Sequence, residues 1–279
     1  MANSVANSNE ERLPKQEVIG LIPAGGLATR IAPLPCSKEL FPIGFQSIDE
    51  DSGLRPKVVS HYLLEKMRLA GITKAYIVLR PGKWDIPAYL GDGSMLDMHL
   101  AYLTVHTPFG APYTLDQAYP FVQDSLVALG FPDIIFQPND AFAQLLAWQT
   151  ETHADIVLGL FPATQPQKCD MVDLADDGQV HRIVIKPLET HLYYTWMIAV
   201  WTPVFTHFMH KYLTTQIGTR REDVLSNGSQ EAQELFVGHV IQAAIDAKIR
   251  VESVSFPDGY CLDIGTPDEL IRAVHNAVG

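Results

Sequence analysis

Val18-Ile-Gly-Leu-Ile-Pro-Ala-Gly-Gly-Leu-Ala-Thr-Arg30-Ile-Ala-Pro-Leu-Pro-Cys-Ser-Lys38-Glu-Leu-Phe-Pro-Ile-Gly44 is the stretch that decides how the chain is read. The apolar run Val18 to Pro23 stops at Gly25-Gly26, as a buried strand feeding a tight loop does. Adjacent glycines let backbone N–H groups approach a phosphate closely, and Thr29, Arg30 and Lys38 add a hydroxyl and two cations within the same segment. The segment therefore fits a polyphosphate cradle. It is not a Walker loop, since Gly-x-x-x-x-Gly-Lys is nowhere satisfied, and it lacks the Gly-x-Gly-x-x-Gly of a dinucleotide fold. On glycine content alone, a Gly/Pro-rich surface loop with two solvated cations describes it equally well.

Outward from this loop, Val59, Leu63, Met67 and Ala70 recur at helical spacing up to Gly71, and Ala75 to Leu79 then reads as a second strand. Strand, helix, strand implies a parallel crossover. Further strands are expected at Tyr102 to Val105, Leu126 to Leu129, Asp155 to Leu160, Val180 to Ile185, Met197 to Trp201 and Ile249 to Val254. Helices are expected at Asp140 to Thr150, Pro203 to Leu213, Glu231 to Lys248 and Pro267 to Val278. The alternation predicts an α/β fold with a mostly parallel sheet covered on both faces, with ligands outside the C-terminal strand ends. No repeat of fixed period is present, so a hexapeptide β-helix extension is not expected.

A chain of 279 residues with 47% hydrophobic and 19% charged side chains can bury a sizeable core. The net charge of −12 disfavours non-specific binding to nucleic acid or an anionic membrane, so an anionic ligand must be met by local cations or a metal. Cys36, Cys169 and Cys261 are odd in number and lack Cys-x-x-Cys spacing, which argues against a disulfide framework and a structural zinc. The ten histidines show no metal-ligand spacing, and Cys36 has no positioned His partner for thiol chemistry. Met1 to Glu17 is polar and reads as a flexible N-terminal tail, followed by a single domain over 18–279. With no apolar run long enough to span a membrane, the expected compartment is the cytoplasm.

Ala24-Gly25-Gly26-Leu27-Ala28-Thr29-Arg30-Ile31-Ala32-Pro33, followed by Ser37-Lys38-Glu39-Leu40-Phe41-Pro42, resembles the signature of sugar-1-phosphate nucleotidyltransferases of the glucose-1-phosphate thymidylyltransferase and uridylyltransferase kind. The resemblance extends over nearly the whole chain. Gly91-Asp92-Gly93, Gly110 with Leu115 and Ala118, Asp133, Val184-Ile185-Lys186-Pro187 and Tyr260-Cys-Leu-Asp263-Ile-Gly265-Thr266-Pro267 are similar to the family's later motifs, in order. It implies a Rossmann-like three-layer nucleotidyltransferase fold with a mostly parallel mixed sheet. It also implies transfer of a nucleotidyl group from a nucleoside triphosphate to a sugar 1-phosphate, with Mg²⁺ as cofactor and pyrophosphate as second product.

By the same resemblance, Ala24, Gly25, Gly26, Thr29 and Gly110 hold the nucleotide, Arg30 and Lys38 are the catalytic cations, Lys186 holds the sugar phosphate, and Asp133 and Asp263 hold the metal. The acceptor phosphate is already ionised at pH 7, so the chemistry needs positioning and charge neutralisation rather than a base. Taken one at a time the motifs have plainer readings: Asp133 as a helix cap or turn residue, Lys186 as a surface cation, Gly91-Asp92-Gly93 as loop geometry. Four positions depart from the family pattern: Ala28 for glycine, Ser37 for proline, Val105 for the base-reading glutamine, and Ile185 for the glutamate that holds sugar hydroxyls. Base and acceptor are therefore left unassigned, as is assembly into a homo-oligomer. The alternative reading is a non-catalytic nucleotide or nucleotide-sugar binding protein on the same fold.

Overall fold

β1, Val18–Ala24, is buried at every residue except Val18 and Pro23, as a strand covered on both faces must be. The computed structural model to which it belongs describes residues 16–47, 53–106, 110–175, 178–227 and 234–278. Most of the expected tail lies outside the described residues. Its last residue, Glu17, accepts the Leu126 N–H at 3.0 Å through its carbonyl and pairs with Lys74 at 2.6 Å through its carboxylate.

In chain order the remaining strands are β2 (Pro42–Ser47), β3 (Leu54–Val58), β4 (Lys74–Leu79), β5 (His99–Thr104), β6 (Leu126–Leu129), β7 (Ile134–Gln137), β8 (Ile156–Pro162), β9 (Asp170–Leu174), β10 (Val180–Ile185), β11 (Tyr194–Trp201), β12 (Val251–Ser255) and β13 (Tyr260–Asp263). The α-helices are α1 (Val59–Leu69), α2 (Asp85–Leu90), α3 (Ala111–Asp116), α4 (Tyr119–Val122), α5 (Ala141–Thr152), α6 (Pro203–Asn227), α7 (Val237–Asp246) and α8 (Pro267–Val278).

Among the described residues, nine strands form one sheet, in which β6, β1, β4 and β5 lie side by side and parallel. β11 runs against β6 at Ala199 to Trp201, pairs with β9 at Tyr194 and Thr195, and carries β8 and then β12 along its other edge. Only β10 and β11 oppose the common direction, so the sheet is mostly parallel and mixed. Two apolar clusters cover its faces, one containing Leu21, Leu129, Leu158, Trp201, Phe205 and Val240, the other Ile22, Leu63, Met67, Phe142 and Phe161. A third, smaller cluster joins Ile43, Ile135, Leu262, Ile264 and Ala273, and binds α8 and the ribbons β2–β3 and β7–β13 to the body.

The expected elements recur with shifted ends, and the elements not anticipated are short. β2 and β3 carry Pro42, Gly44 and Pro56, residues that weaken a strand reading but are tolerated in a two-stranded edge ribbon. α6 continues past Leu213, where Thr214 and Thr215 point their hydroxyls back to the carbonyls of His210 and Lys211 at 2.8 and 3.0 Å. The helix expected from Glu231 begins at Val237, and residues 231–233 of that expectation lie outside the described residues.

Candidate functional site

The chain runs from β1 across to β4 on one side, while β6 lies on the other. Neighbouring strand ends diverge at such a reversal and leave a crevice outside their C-termini. The glycine loop leaves β1 at this point, and Phe131 and Asp133 follow β6. Gly25, Gly26, Lys38, Gly110 and Asp133 line a cavity of about 320 Å³ there, together with Glu39, Arg80, Thr114 and Phe131. Gly110, at φ 113°, leads into α3, and a Cβ on it would stand 2.2 Å from the Leu235 carbonyl oxygen, so only glycine closes this wall.

Ala28 adopts φ 55°. The backbone path suited to glycine is kept although a Cβ opposes it, at a cost of about 1–2 kcal/mol. Ser37, which stands where the resemblance leads one to expect proline, donates both its N–H and its hydroxyl to the Asp85 carboxylate at 2.7 Å each. A proline could supply neither donor. The two bonds moor the Lys38–Leu40 turn to α2. Behind it, Glu39 and Lys83 form a buried ion pair at 2.6 Å. Burial raises the Glu39 carboxyl and the Lys83 ammonium opposes the rise.

Lys38 pairs with Asp133 between side chains that are both largely buried. Burial works against the ammonium charge, but Asp133, with help from Glu39 and Asp263, outweighs it and holds Lys38 above the usual lysine range. Asp263 reaches the same place from a distant part of the sequence. β13 pairs with β7 so that Asp263 opposes Ile134, and the Ile264 N–H donates to the Asp133 carbonyl at 3.1 Å. Burial and then the Asp133 charge push the Asp263 carboxyl up, against the pull of the Gly265 N–H at 2.8 Å, Lys38 and Arg30. Arg30 stands 3.9 Å from Asp263, with its side chain 59% exposed.

Asp133 also lines a second cavity, of about 270 Å³, which shares Phe131 with the first and is walled by Asp263, Lys186, Asp170, Trp196 and Thr266. Lys186 directly follows β10 at φ 41°, a strained position of the kind found at functional sites. Its N–H donates to the Cys169 carbonyl at 3.1 Å, and its ammonium lies 3.4 Å from the centre of the Phe236 ring. Ile185 lies across from Asp170 in the β9–β10 ladder and is not part of this cavity wall.

The two cavities thus gather Gly25, Gly26, Lys38, Gly110, Asp133, Lys186 and Asp263. Ala24 is 1% exposed and packs in the core, while Thr29 and Arg30 lie outside both linings. Asp92 of Gly91-Asp92-Gly93 bonds Ser94 and lies in neither cavity. Arg80, Thr114, Asp170 and Trp196 were not anticipated. The rule of C-terminal strand ends points to Arg80, which directly follows β4, but nothing in the sequence marks the other three. Burial, then the Asp85 and Glu39 charges, push the Cys36 thiol up, which disfavours the thiolate.

Among the described residues no group of three or more His, Cys, Asp or Glu side chains could hold a metal. Magnesium commonly takes only one or two carboxylates beside substrate phosphates. Asp133 and Asp263, whose charges already repel each other, fit that donor set.

An α/β sheet with a glycine-loop cavity opening beside a second, cation-bearing cavity at a strand reversal defines the class of fold. The Nucleotidyl transferase family model matches residues 19–278, and the chain belongs to that family. It is 28% identical over 171 residues to a glucose-1-phosphate thymidylyltransferase of Streptomyces griseus, covering 60% of this chain and 44% of that one. It is 23% identical over 259 residues to the low-salt glycan biosynthesis nucleotidyltransferase Agl11 of Haloferax volcanii, covering 91% and 64%. The chain therefore spans less than two-thirds of the length of these relatives. Among solved structures, a Bacillus anthracis protein assigned as a glucose-1-phosphate thymidylyltransferase, in complex with a sucrose, superposes with TM-score 0.74 at 18% identity, covering 93% of this chain and 95% of that one. The inositol-1-phosphate CTP transferase from T. maritima superposes with TM-score 0.67 at 17% identity, covering 95% and 99%. At these identities the likeness is one of fold. No helix among the described residues is long and apolar enough to cross a membrane.

Proposed function

We propose that the chain transfers a nucleotidyl group from a nucleoside triphosphate to a sugar 1-phosphate or a related phosphorylated polyol. The observation that carries this reading is the pair of cavities meeting at Asp133 and Phe131, one beside the glycine loop and the other beside Lys186. The triphosphate lies along Gly25 and Gly26 with Lys38 at its oxygens, and the acceptor phosphate lies against Lys186. An acceptor phosphate oxygen attacks the α-phosphorus, the bond from that phosphorus to the bridging oxygen of the β-phosphate breaks, and pyrophosphate leaves with the electron pair. No proton moves in this step. What the protein supplies is two anions held in line and charge neutralised as it builds.

Asp133 and Asp263 are the residues that would hold Mg²⁺, which supplies electrostatic neutralisation of the phosphate oxygens when bound. Lys38 lies against Asp133 and so bears on both the donor and this carboxylate pair. Arg30, beside Asp263 and well exposed, is free to turn toward incoming phosphates.

The test is a panel of nucleoside triphosphates and phosphorylated acceptors, sugar 1-phosphates and inositol 1-phosphate among them, with Mg²⁺ and scored by pyrophosphate release. Release that depends on both partners, with a matching nucleotide-linked product, is expected. Tight nucleotide binding without release on any pairing would replace the enzyme by a non-catalytic binding protein.

A further inference from the structure

Lys38 follows a stretch with little packing to hold it. From Gly25 to Lys38 no residue is buried, and the interior begins only at Glu39 and Leu40. A lysine stem is long and flexible, so its ammonium is placed only as well as the backbone beneath it. Downstream that backbone is fixed. The Phe41 N–H closes the turn on the Lys38 carbonyl at 3.1 Å, the Phe41 carbonyl takes the Val59 N–H at 3.1 Å, and Leu40 packs in the same apolar cluster as Leu63 and Met67. Upstream, the hold falls to Ser37.

Ser37 adopts φ −56° and ψ 137°. Those angles are the ones a proline ring imposes or favours, at the position where the resemblance leads one to expect proline. A serine is free to leave them. What keeps it there is Asp85, whose two carboxylate oxygens take one bond each, one from the Ser37 N–H and one from its hydroxyl. Asp85 is itself fixed as the first residue of α2. Burial works against its charge, but the Ser37 N–H and hydroxyl, with the N–H groups of Asp85 and Ile86, outweigh it and hold the carboxyl below the usual range. Two residues earlier, Lys83 holds Glu39. Both chain neighbours of Lys38 are thus gripped by one short segment, 83–85, while Lys38 itself pairs with Asp133.

We infer that Asp85 is a positioning residue: its two bonds to Ser37 take the place of a proline ring and set the turn from which Lys38 reaches Asp133. Asp85 lines neither cavity, so it acts through Ser37 and Lys38 rather than on a substrate. The inference rests on the proposed function for the task that Lys38 performs, while the placement of Lys38 is a property of the free protein. A displacement of about 1 Å at a catalytic group can cost about a hundredfold in rate, which sets the scale of the effect.

The experiment pairs steady-state pyrophosphate release with crystal structures of the full chain, for Asp85→Ala alone and combined with Ser37→Pro or with Lys38→Ala. Asp85 is half-buried, so its truncation leaves the core intact. Asp85→Ala is expected to lower kcat by about tenfold to a hundredfold with little change in either KM, because the placement it loosens is felt in the transition state. Added to Lys38→Ala it should cost nothing further, since the group it positions is gone. Ser37→Pro alone should stay close to the wild type, and Asp85→Ala added to it should then cost little. A substitution that merely weakened the fold would add to Lys38→Ala and would not be rescued by proline. In the structures, Lys38 Nζ should shift by more than about 0.5 Å in Asp85→Ala and return when Ser37→Pro is combined with it. Full activity or an unmoved Lys38 in Asp85→Ala, a loss that adds undiminished to Lys38→Ala, or a loss that Ser37→Pro leaves in place would overturn the inference. So would a Ser37→Pro variant that is itself crippled, because proline and Asp85 would then not be equivalent. Failure of the transferase reading is a different result: no pyrophosphate on any pairing, with Lys38 still displaced by Asp85→Ala and restored by Ser37→Pro.

Discussion

The two cavities are built in opposite ways. Just under half of the wall of the cavity proposed for the triphosphate comes from one segment, Pro23 to Glu39, which leaves a parallel strand and uses backbone, glycine and lysine. The wall of the second cavity, proposed for the acceptor, is drawn from Phe131, Ala163 to Asp170, Lys186, Thr195 to Met197 and Cys261 to Glu269, brought together where β9, β10 and β11 run antiparallel to their neighbours. Phosphates are alike from ligand to ligand, so a local cradle of N–H groups and cations serves for all of them. Acceptors differ, and their recognition is assembled from side chains far apart in sequence. Ile185 and Asp170 illustrate this: the residue expected from the motif to touch the acceptor is apolar, while a carboxylate from the facing strand stands in the cavity wall.

The most damaging substitutions should fall where the two regions meet. Asp133→Asn and Asp263→Asn are each expected to remove several kcal/mol of charge stabilisation, roughly a thousandfold in turnover, with far-ultraviolet dichroism unchanged. Chelation of divalent ions should do the same to the wild type. Undiminished pyrophosphate release in excess chelator would leave Asp133 and Asp263 without a metal role and divide the site differently.

Next in size is the contrast between the two lysines. Lys38→Ala should lower kcat by about 10² to 10³, as loss of one preorganised electrostatic donor does. Lys186→Ala should act mainly on the KM for the acceptor, by about tenfold to a hundredfold if a charged hydrogen bond is lost. Arginine should rescue neither fully, because a planar fork and a compact ammonium fill different space. If Lys186→Ala impaired the triphosphate alone in steady-state kinetics, the assignment of donor and acceptor ends would be reversed.

A smaller effect tests the acceptor side through stability. Burial raises the Asp170 carboxyl to about 6, against the opposing pull of Lys186 and the Gly238 N–H, and the neighbouring Cys169 thiol is itself raised by burial and stays neutral over this range. With the folded value above the unfolded value of about 3.9, the folded form binds the proton more strongly. Its contribution to stability is therefore greatest below about pH 4 and falls as pH rises through about 6. Asp170→Asn cannot titrate, so its melting temperature should improve relative to the wild type as pH rises from 4 to 7, and the gap should be flat above that. A gap that did not change with pH would mean the carboxyl is not held in this way.

The smallest effect lies in the glycine loop. Ala28→Gly relieves the strain at φ 55°, offset by the greater freedom glycine gives the unfolded chain, for a net change of about 1 kcal/mol or less. A rise of a few degrees at most in melting temperature is expected, with acceptor KM unchanged. A large change in acceptor KM would show that the two regions are not separable.

Much of the fold was legible because its evidence is local. Apolar runs such as Val18 to Pro23 and Ala75 to Leu79, and the helical spacing of Val59, Leu63 and Met67, record burial residue by residue. The short ribbons were not legible, since four residues such as Ile134–Gln137 are too few to show a period and Pro56 in β3 reads as a break. On the side proposed for the donor, the glycine pair and Lys38 stand out in the sequence as a glycine loop with a cation, whereas Gly110 is marked only by the family resemblance. The meeting of Asp133 with Asp263, the packing of the Asp170 carboxylate against Gly238 and the anchoring of Ser37 by Asp85 belong to the tertiary structure alone. The residues of each pair stand tens of residues or more apart, and only the strand register, the packing of α7 on β10 and the bonds that tie the Ser37 turn to α2 bring their charges and hydrogen-bonding atoms within reach of one another.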